Sequence, residues 1–331
     1  MRMGFRLNIA GAACLAALLT FSLSAPVAAD SHGQENAKKA VLVTGASSGI
    51  GRRIAELLAS EGYFVYAGAR SQQDLDALDA LENVEAVRLD VTVQGEIDAA
   101  VETVRKGGRG LYGLVNNAGV ATLGPLIETD IGELQWLFDV NVYGVYRVTQ
   151  AFAPLIIEAK GRIINISSIS GVLEWPMGGL YTMSKHAIEA YSDTLALEMD
   201  RFGVKVSAIE PGNFKSDISM SARARMANSG VQRPDTRYAE EWTRATDRPA
   251  DRSQYKEPDE VAAAALHALF DGNPKPRYLV VPNQEEAQWT IGEAIKELIE
   301  LNERQPYSYN REQLIEMIDA AIAVSSPPRE G

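Results

Sequence analysis

The chain of 331 residues holds a single cysteine, Cys14, and only three histidines, His32, His186 and His267. Cys14 falls in an N-terminal stretch that reads as an export signal, so the mature chain is expected to lack disulfides, a thiolate nucleophile and any cysteine-based metal site. The histidines are scattered, and no metal centre is expected. Positive charge is also short: 32 Lys and Arg stand against 44 Asp and Glu, a formal net charge of −12. Nucleic acid is therefore excluded as a partner, because phosphate contacts demand basic patches. A local anion site needs less, one arginine and a helix N-terminus. The apolar stretch Leu7 to Leu23 is broken by Asn8, Thr20 and Ser22, which argues against a membrane span. Arg2 and Arg6 precede it, and Val27, Ala28 and Ala29 supply small residues before Asp30. Residues 1–29 thus read as a signal peptide for export to the periplasm, with an N-terminal anchor as the alternative. No other membrane association is expected.

What is present suffices for a large core: 46% of residues are apolar and 23% charged, so disorder on the scale of the chain is excluded. From Ala40 to Val281 strand-like and helix-like segments alternate. Strands are expected at Ala40 to Thr44, Phe64 to Ala69, Ala86 to Leu89, Tyr112 to Asn116, Arg162 to Ser167, Val204 to Ile209 and Arg277 to Val281. Helical spacing marks Ile50 to Ser60, Ile97 to Val104, Ile131 to Ile157, Leu180 to Phe202 and Glu260 to Phe270, with Pro154 expected to end or kink the third. Such alternation implies right-handed crossovers: an α/β, doubly wound parallel sheet of the Rossmann type, a single domain over 38–282. Lys215 to Lys256 interrupts it with a long polar stretch holding Arg223, Arg225, Arg233, Arg237 and Arg244; it reads as a substrate-side insertion over 215–256, or as a merely solvated one. A helical extension occupies 283–331, with helices at Glu285 to Glu303 and Arg311 to Val324. Asn310 with Gln313 resembles a capping box, and the Ile291, Ile295, Leu298 and Leu301 stripe suggests packing or dimer contact.

Three motifs carry chemistry. Tyr181 and Lys185 in YTMSK are one helical turn apart, so both side chains can face one way. A nearby ammonium favours the phenolate and is expected to lower a phenol pKa that is otherwise about 10, giving a proton donor and acceptor usable near neutral pH. Ser168, in INISSISG, would donate a hydrogen bond to the same carbonyl or alcohol oxygen. The run Thr44-Gly45-Ala46-Ser47-Ser48-Gly49-Ile50-Gly51 follows the first strand and opens the first helix. Its glycines permit a tight turn and close backbone approach to a pyrophosphate at the helix N-terminus.

With Leu89-Asp90-Val91, Asn116-Asn117-Ala118-Gly119, Asn141 in NVYG and Pro211-Gly212, these motifs resemble the short-chain dehydrogenase/reductase family over Lys39 to Val281. Through VYAGAR and IEPGNFKS the wording is most similar to retinol and 17β-hydroxysteroid dehydrogenases and their bacterial relatives. The resemblance implies that Tyr181 protonates an alkoxide or deprotonates an alcohol, and that Lys185 lowers its pKa and holds the nicotinamide ribose. It implies that Ser168 polarises the carbonyl and that Asn141 holds a water linking Lys185 to solvent. Gly45, Ser47, Ser48, Gly49, Ile50 and Gly51 would meet the cofactor phosphates, Asp90 and Val91 the adenine, Asn117, Ala118 and Gly119 the ribose side. Pro211 and Gly212 would meet the nicotinamide amide. Where an acidic residue would bind the ribose 2′-OH of NAD, this chain has Ala69 followed by Arg70, so NADP(H) is the expected cofactor and NAD(H) the alternative. An export signal conflicts with a cytoplasmic supply of NADPH, and a misassigned start with cytoplasmic residence is the alternative reading.

The activity implied is that of a short-chain alcohol dehydrogenase or carbonyl reductase for a small apolar ketone or secondary alcohol, acting as a dimer or tetramer. A non-catalytic NADP redox sensor and a reductase of 3-oxoacyl thioesters are the alternatives. Leu173, Trp175, Met177, Phe214 and Met220 are candidates for an apolar pocket wall, and Glu174 is a carboxylate close to the reacting centre.

Overall fold

A computed structural model describes residues 39–229, 235–247 and 249–325. The expected signal or anchor over 1–29, Cys14, His32 and Arg233 lie outside the described residues. Among those described, no helix is long and apolar enough to cross a membrane.

Seven strands form one parallel sheet: β1 (Ala40–Val43), β2 (Phe64–Ala69), β3 (Val84–Arg88), β4 (Gly113–Asn116), β5 (Arg162–Ile166), β6 (Lys205–Pro211) and β7 (Arg277–Val280). Their spatial order is β3-β2-β1-β4-β5-β6-β7. Every residue of β1 and β4 is buried, as a central strand covered on both faces requires. On one face pack α1 (Gly49–Ser60) and α9 (Asp259–Phe270), whose Ile54, Leu58, Ala265 and Leu269 meet Val41, Val115 and Ile164. On the other lie α3 (Gln94–Lys106), α5 (Val145–Glu158) and α6 (Gly179–Asp200), with Val101, Val104, Phe152 and Ile156 against Leu42, Leu114 and Ile163. The order reverses between β1 and β4, and a crevice opens beyond the C-terminal ends of these two strands. The motifs singled out in the sequence leave strands at that end of the sheet or sit on α6, except Asn141, which lies in a helical turn over Asp139–Gly144.

Several elements depart from the expected pattern. An unexpected helix, α2 (Gln72–Asp79), follows β2; Ser71 caps it by accepting from the Asp74 amide, and only Leu75 and Leu78 are buried, too few to make a periodic signal. The expected single helix from Ile131 is two, α4 (Ile131–Phe138) and α5, joined by a π-helical turn over Asp139–Gly144. Pro154 does not end α5, which continues to Glu158. Its position is exposed, so water can serve the carbonyl that loses its donor, while buried Val148, Phe152 and Ile156 hold the helix from the other side. The 215–256 stretch is not a plain loop: it contains α7 (Ile218–Ser229) and α8 (Ala239–Asp247), anchored by buried Ala222 and Trp242. Beyond β7 run α10 (Gln284–Asn302) and α11 (Arg311–Ser325). The capping box holds reciprocally: the Gln313 amide donates to Asn310 Oδ1 at 2.9 Å and the Asn310 amide to Gln313 Oε1 at 3.0 Å.

Phe152 is fully buried at the centre of one face. Phe152→Ala is expected to cost about 3–5 kcal/mol, measured as a lowered urea midpoint in far-UV circular dichroism with an unchanged slope.

Candidate active site

The turn after β1 is shaped by its glycines. Gly45 (φ +63°) and Gly49 (φ +55°) occupy the left-handed region. A side chain at Gly51 would overlap the Asn117 side-chain amide and the Gly45 carbonyl. Ser48 is the N-cap of α1 and makes no side-chain cap bond, so the first-turn N–H groups are left to another acceptor. Thr44 Oγ1 ties this turn to the end of β4 by accepting from the Asn117 and Ala118 amides at 2.9 and 3.0 Å. Asn117 Nδ2 returns the tie, donating to the Thr44 and Gly45 carbonyls at 2.9 and 3.0 Å.

One cleft of about 1000 Å³ opens there. Its walls include Gly45, Ser47, Ser48, Gly49, Ile50 and Gly51 from the turn, and Arg70, Asp90 and Val91 beyond β2 and β3. Asn117, Ala118 and Gly119 follow β4, and Ser168, Tyr181, Lys185, Pro211 and Gly212 complete the set. Of the catalytic and cofactor-binding residues expected from sequence, Asn141 alone is not on the wall. It is buried in the π-helical turn, its Oδ1 accepting from the Val120 amide at 2.8 Å. Its Nδ2 donates to the Val120 carbonyl at 2.9 Å and to Ser184 Oγ at 3.1 Å. The side chain therefore clamps the loop after β4 to α6, rather than presenting a free amide to water.

Tyr181 lies near the start of α6, and Ser168 acts on its phenol, favouring ionisation. Ser168 Oγ also accepts from the Ser170 amide at 3.1 Å and lies 3.0 Å from Ser170 Oγ. One turn on, Lys185 is buried and donates from Nζ to the Ile166 carbonyl at 3.0 Å. The ammonium is 5.5 Å from the Tyr181 ring centroid. Here the structure corrects the electrostatics expected from spacing. Burial pushes the Tyr181 phenol above its ordinary range, opposed by the Ser168 hydrogen bond and the charge of Arg252 rather than by Lys185. Desolvation pulls Lys185 itself down to about 8, with Glu189 acting against it. An ammonium aimed at a backbone carbonyl in a dry site is less a source of field than a group whose own charge is disfavoured.

At the adenine end Arg70 is 70% exposed, its Nη1 3.8 Å from Asp90 Oδ2. Asp90 Oδ1 is occupied by the Thr92 amide and hydroxyl at 2.9 and 2.7 Å. A second guanidinium, unremarked in the sequence, joins it: Arg88 donates to the Arg70 carbonyl at 2.5 Å and to Gln72 Oε1 at 3.2 Å.

A family model described as short chain dehydrogenase matches residues 39–227. The mitochondrial D-beta-hydroxybutyrate dehydrogenase of Rattus norvegicus is 41% identical over 198 residues, 57% of this chain and 58% of that protein. The NADPH-dependent 3-dehydrocapnine reductase of Ornithobacterium rhinotracheale is 36% identical over 73% of this chain and 88% of its own length. A short chain dehydrogenase/reductase of Burkholderia phymatum, solved in complex with NAD, superposes with a TM-score of 0.67 at 28% identity, covering 82% of this chain and 98% of that one. The chain belongs to the short chain dehydrogenase family. It spans little more than half the length of the hydroxybutyrate dehydrogenase it matches.

The residues present fit the dinucleotide that this family implies: a glycine turn that a Cβ at Gly51 would fill, an uncapped helix N-terminus, and a cleft running from Arg70 to Tyr181. On the substrate side of this short chain dehydrogenase, Leu173, Trp175 and Phe214 line the cleft. Met177 and Met220 do not. Met177 is buried with Trp242 against Met226 and Tyr238, and Met220 is exposed. Glu174 lines the cleft and lies 3.6 Å from His186 Nε2; with Glu297 they bring one ligand atom each within 4.8 Å, an exposed cluster that nothing else marks as a metal site. Residues 219, 221–223, 226, 245, 249–250, 252 and 254–255 of the insertion also reach the wall.

Behind Lys185 lies a charged cluster that sequence gave no sign of, because its members come from α6, β6 and β7. Arg277 pairs with Glu189 at 2.9 Å, Asp193 at 3.0 Å and Glu210 at 2.8 Å. Burial and then the Glu189 charge raise Glu210 to about 7, so it holds a proton that an exposed glutamate would lose. Glu189 is the carboxylate that supports the Lys185 ammonium. With Lys185 near 8, the ammonium predominates below that pH and is lost above it. Glu189→Gln removes the support, and the alkaline limb of kcat/KM, which reports the free enzyme, is expected to move to lower pH; an unmoved limb shows Glu189 is not coupled to Lys185.

Proposed function

We propose that the protein is an NADP(H)-dependent oxidoreductase that transfers hydride between the nicotinamide and a ketone or secondary alcohol, with Tyr181 as the general acid and base. The carrying observation is that Ser168, Tyr181 and the buried Lys185 one turn on line the same cleft as the glycine turn. When bound, the reduced nicotinamide supplies hydride to the carbonyl carbon. Ser168 would donate a hydrogen bond to the carbonyl oxygen, stabilising charge that grows there. Tyr181 would deliver the proton that completes the alcohol. Burial keeps the phenol protonated, the form that gives up a proton in carbonyl reduction. Lys185 would hold the ribose hydroxyls and replenish the proton, and Asn141 would keep the Val120 loop and α6 in place around it. Leu173, Trp175 and Phe214 support a substrate with an apolar body.

Arg70 and Arg88 beside Ala69 support NADP(H) over NAD(H), since two guanidiniums attract a 2′-phosphate and no carboxylate follows β2 directly to repel it. The NADPH-dependent reductase among the relatives is consistent with this choice, and the NAD complex keeps NAD(H) as the alternative. Export after cleavage before Asp30 is also proposed, tested by N-terminal sequencing of the natural protein. A homo-oligomer is supported by the uncovered apolar stripe Ile291, Ile295, Leu298 and Leu301 on α10, and light scattering reads it directly.

Tyr181→Phe is expected to lower kcat by about 10²–10⁴ on a panel of ketones while NADPH still binds by fluorescence titration; undiminished turnover rejects the mechanism. Arg70→Ala is expected to raise the Kd of NADPH about 10–100-fold and to leave that of NADH within a few-fold. Equal effects on the two would reject the 2′-phosphate contact.

A further inference from the structure

The cleft wall carries one positive charge that hydride transfer to an apolar ketone does not use. Arg252 lies between α8 and α9, in the part of the insertion that lines the cleft, and its side chain is half-buried. Its guanidinium donates from Nη2 to Asn213 Oδ1 and from Nη1 to Ser216 Oγ at 3.5 Å, and sits 4.9 Å from the Tyr255 ring centroid. All three partners are neutral. Among the described residues no carboxylate oxygen lies within ion-pair distance of it. The nearby acids have other partners: Asp251 accepts from the Ser253 amide and hydroxyl at 2.8 Å, and Glu257 pairs with Lys215 at 2.5 Å. A half-desolvated guanidinium without a counter-ion is costly in a chain with so many acidic residues available to neutralise it.

Its placement relative to the chemistry is equally specific. The Arg252 charge is felt by the Tyr181 phenol. The same cleft wall includes Asn213, which accepts from Arg252, Phe214 after β6, and Leu173 and Trp175 after β5. A molecule whose reacting carbon meets Ser168 and Tyr181 therefore has apolar surface beside it and a fixed two-pronged donor within reach.

We propose that Arg252 is the receptor for an anionic group on the substrate, and that the cleft takes an oxo or hydroxy carboxylic acid with an apolar chain. The carboxylate pairs with the guanidinium in a fork-to-fork contact, and the carbonyl or hydroxyl lies between Ser168 and Tyr181. The proposal rests on the catalytic reading given above for Tyr181. It assigns to Arg252 the choice between an acid and a neutral ketone of the same skeleton. Ser216 adjoins Gly49 in the phosphate turn, where a Cβ on Gly49 would come 3.3 Å from Ser216 Cβ, so the cofactor phosphates are the competing anion.

The test compares wild type, Arg252→Met and Arg252→Lys on 2-, 3- and 4-oxo acids of six carbons and on their methyl esters, with NADPH. Wild type is expected to favour at least one acid over its ester by about tenfold or more in kcat/KM. Arg252→Met is expected to bring that ratio to about one, mainly through KM, and Arg252→Lys to restore part of it. Independently of turnover, calorimetry with hexanoate in the presence of NADP should show binding to wild type, and about 10–100-fold weaker binding to Arg252→Met. The Kd of NADPH should change less than about threefold, and circular dichroism should show an unaltered fold. Wild-type use of every one of the esters as well as of its acid overturns the proposal. So does a rise in NADPH Kd that matches the rise in KM, which would assign Arg252 to the cofactor. If no carbonyl is turned over, the catalytic reading fails, and the hexanoate measurement still decides for or against Arg252.

Discussion

The bond from the Lys185 ammonium to the Ile166 carbonyl is the contact on which the geometry of the site depends. It joins α6 to the last residue of β5, so that Ser168, two residues beyond the strand, and Tyr181, one turn earlier on the helix, line the same cleft. A buried ammonium is costly, and the structure offsets that cost with Glu189 one turn further along the same helix. Glu189 is in turn held by Arg277 from β7 and shares a proton-linked contact with Glu210 of β6. Lys185 thus connects the Tyr181 end of the cleft with the far edge of the sheet.

Neutral polar groups complete this clamp. Asn116 at the end of β4 donates to Thr149 on α5 and to Asn165 on β5, both at 2.9 Å, and Asn165 donates to Ser192 on α6 at 2.9 Å. These buried amides hold two strands and two helices in one register, with Asn116 Oδ1 alone among the side-chain atoms of the two amides left without a partner. The π-helical turn at Asp139–Gly144 contributes in the same way. It widens the helix where Asn141 reaches both Val120 and Ser184, and such bulges are frequent at functional sites. Pro154 passes through α5 without ending it because that face looks outward and tertiary packing on the inner face outweighs local propensity.

Charge is distributed against the composition. The chain is strongly acidic, yet the cleft has Arg70 with adjoining Arg88 at one end, the uncapped N-terminus of α1 in the middle and Arg252 at the other. Net charge argues against nucleic acid as a partner but says nothing about a site where a few cations gather over a short distance. On our proposals, that local inversion makes an acidic protein a receptor for a phosphorylated dinucleotide and for an anionic substrate.

The sequence by itself determined whatever depends on neighbours along the chain. Alternating apolar runs specify the parallel sheet, TGASSGIG specifies a turn only glycine can make, and the interval from Tyr181 to Lys185 specifies one helix face, because backbone geometry converts such spacings directly into position. Tertiary structure decided what depends on burial and on partners distant in sequence. The spacing placed Lys185 beside Tyr181, but desolvation set the direction of both pKa values. The same holds for Arg252 facing the cleft, for the Glu189–Arg277–Glu210 cluster, and for Met177, whose apolar side chain went to Trp242 instead of the substrate wall. Local propensity has no term for the dielectric around a side chain or for which remote residue arrives beside it, and those two quantities exist only once the chain has folded.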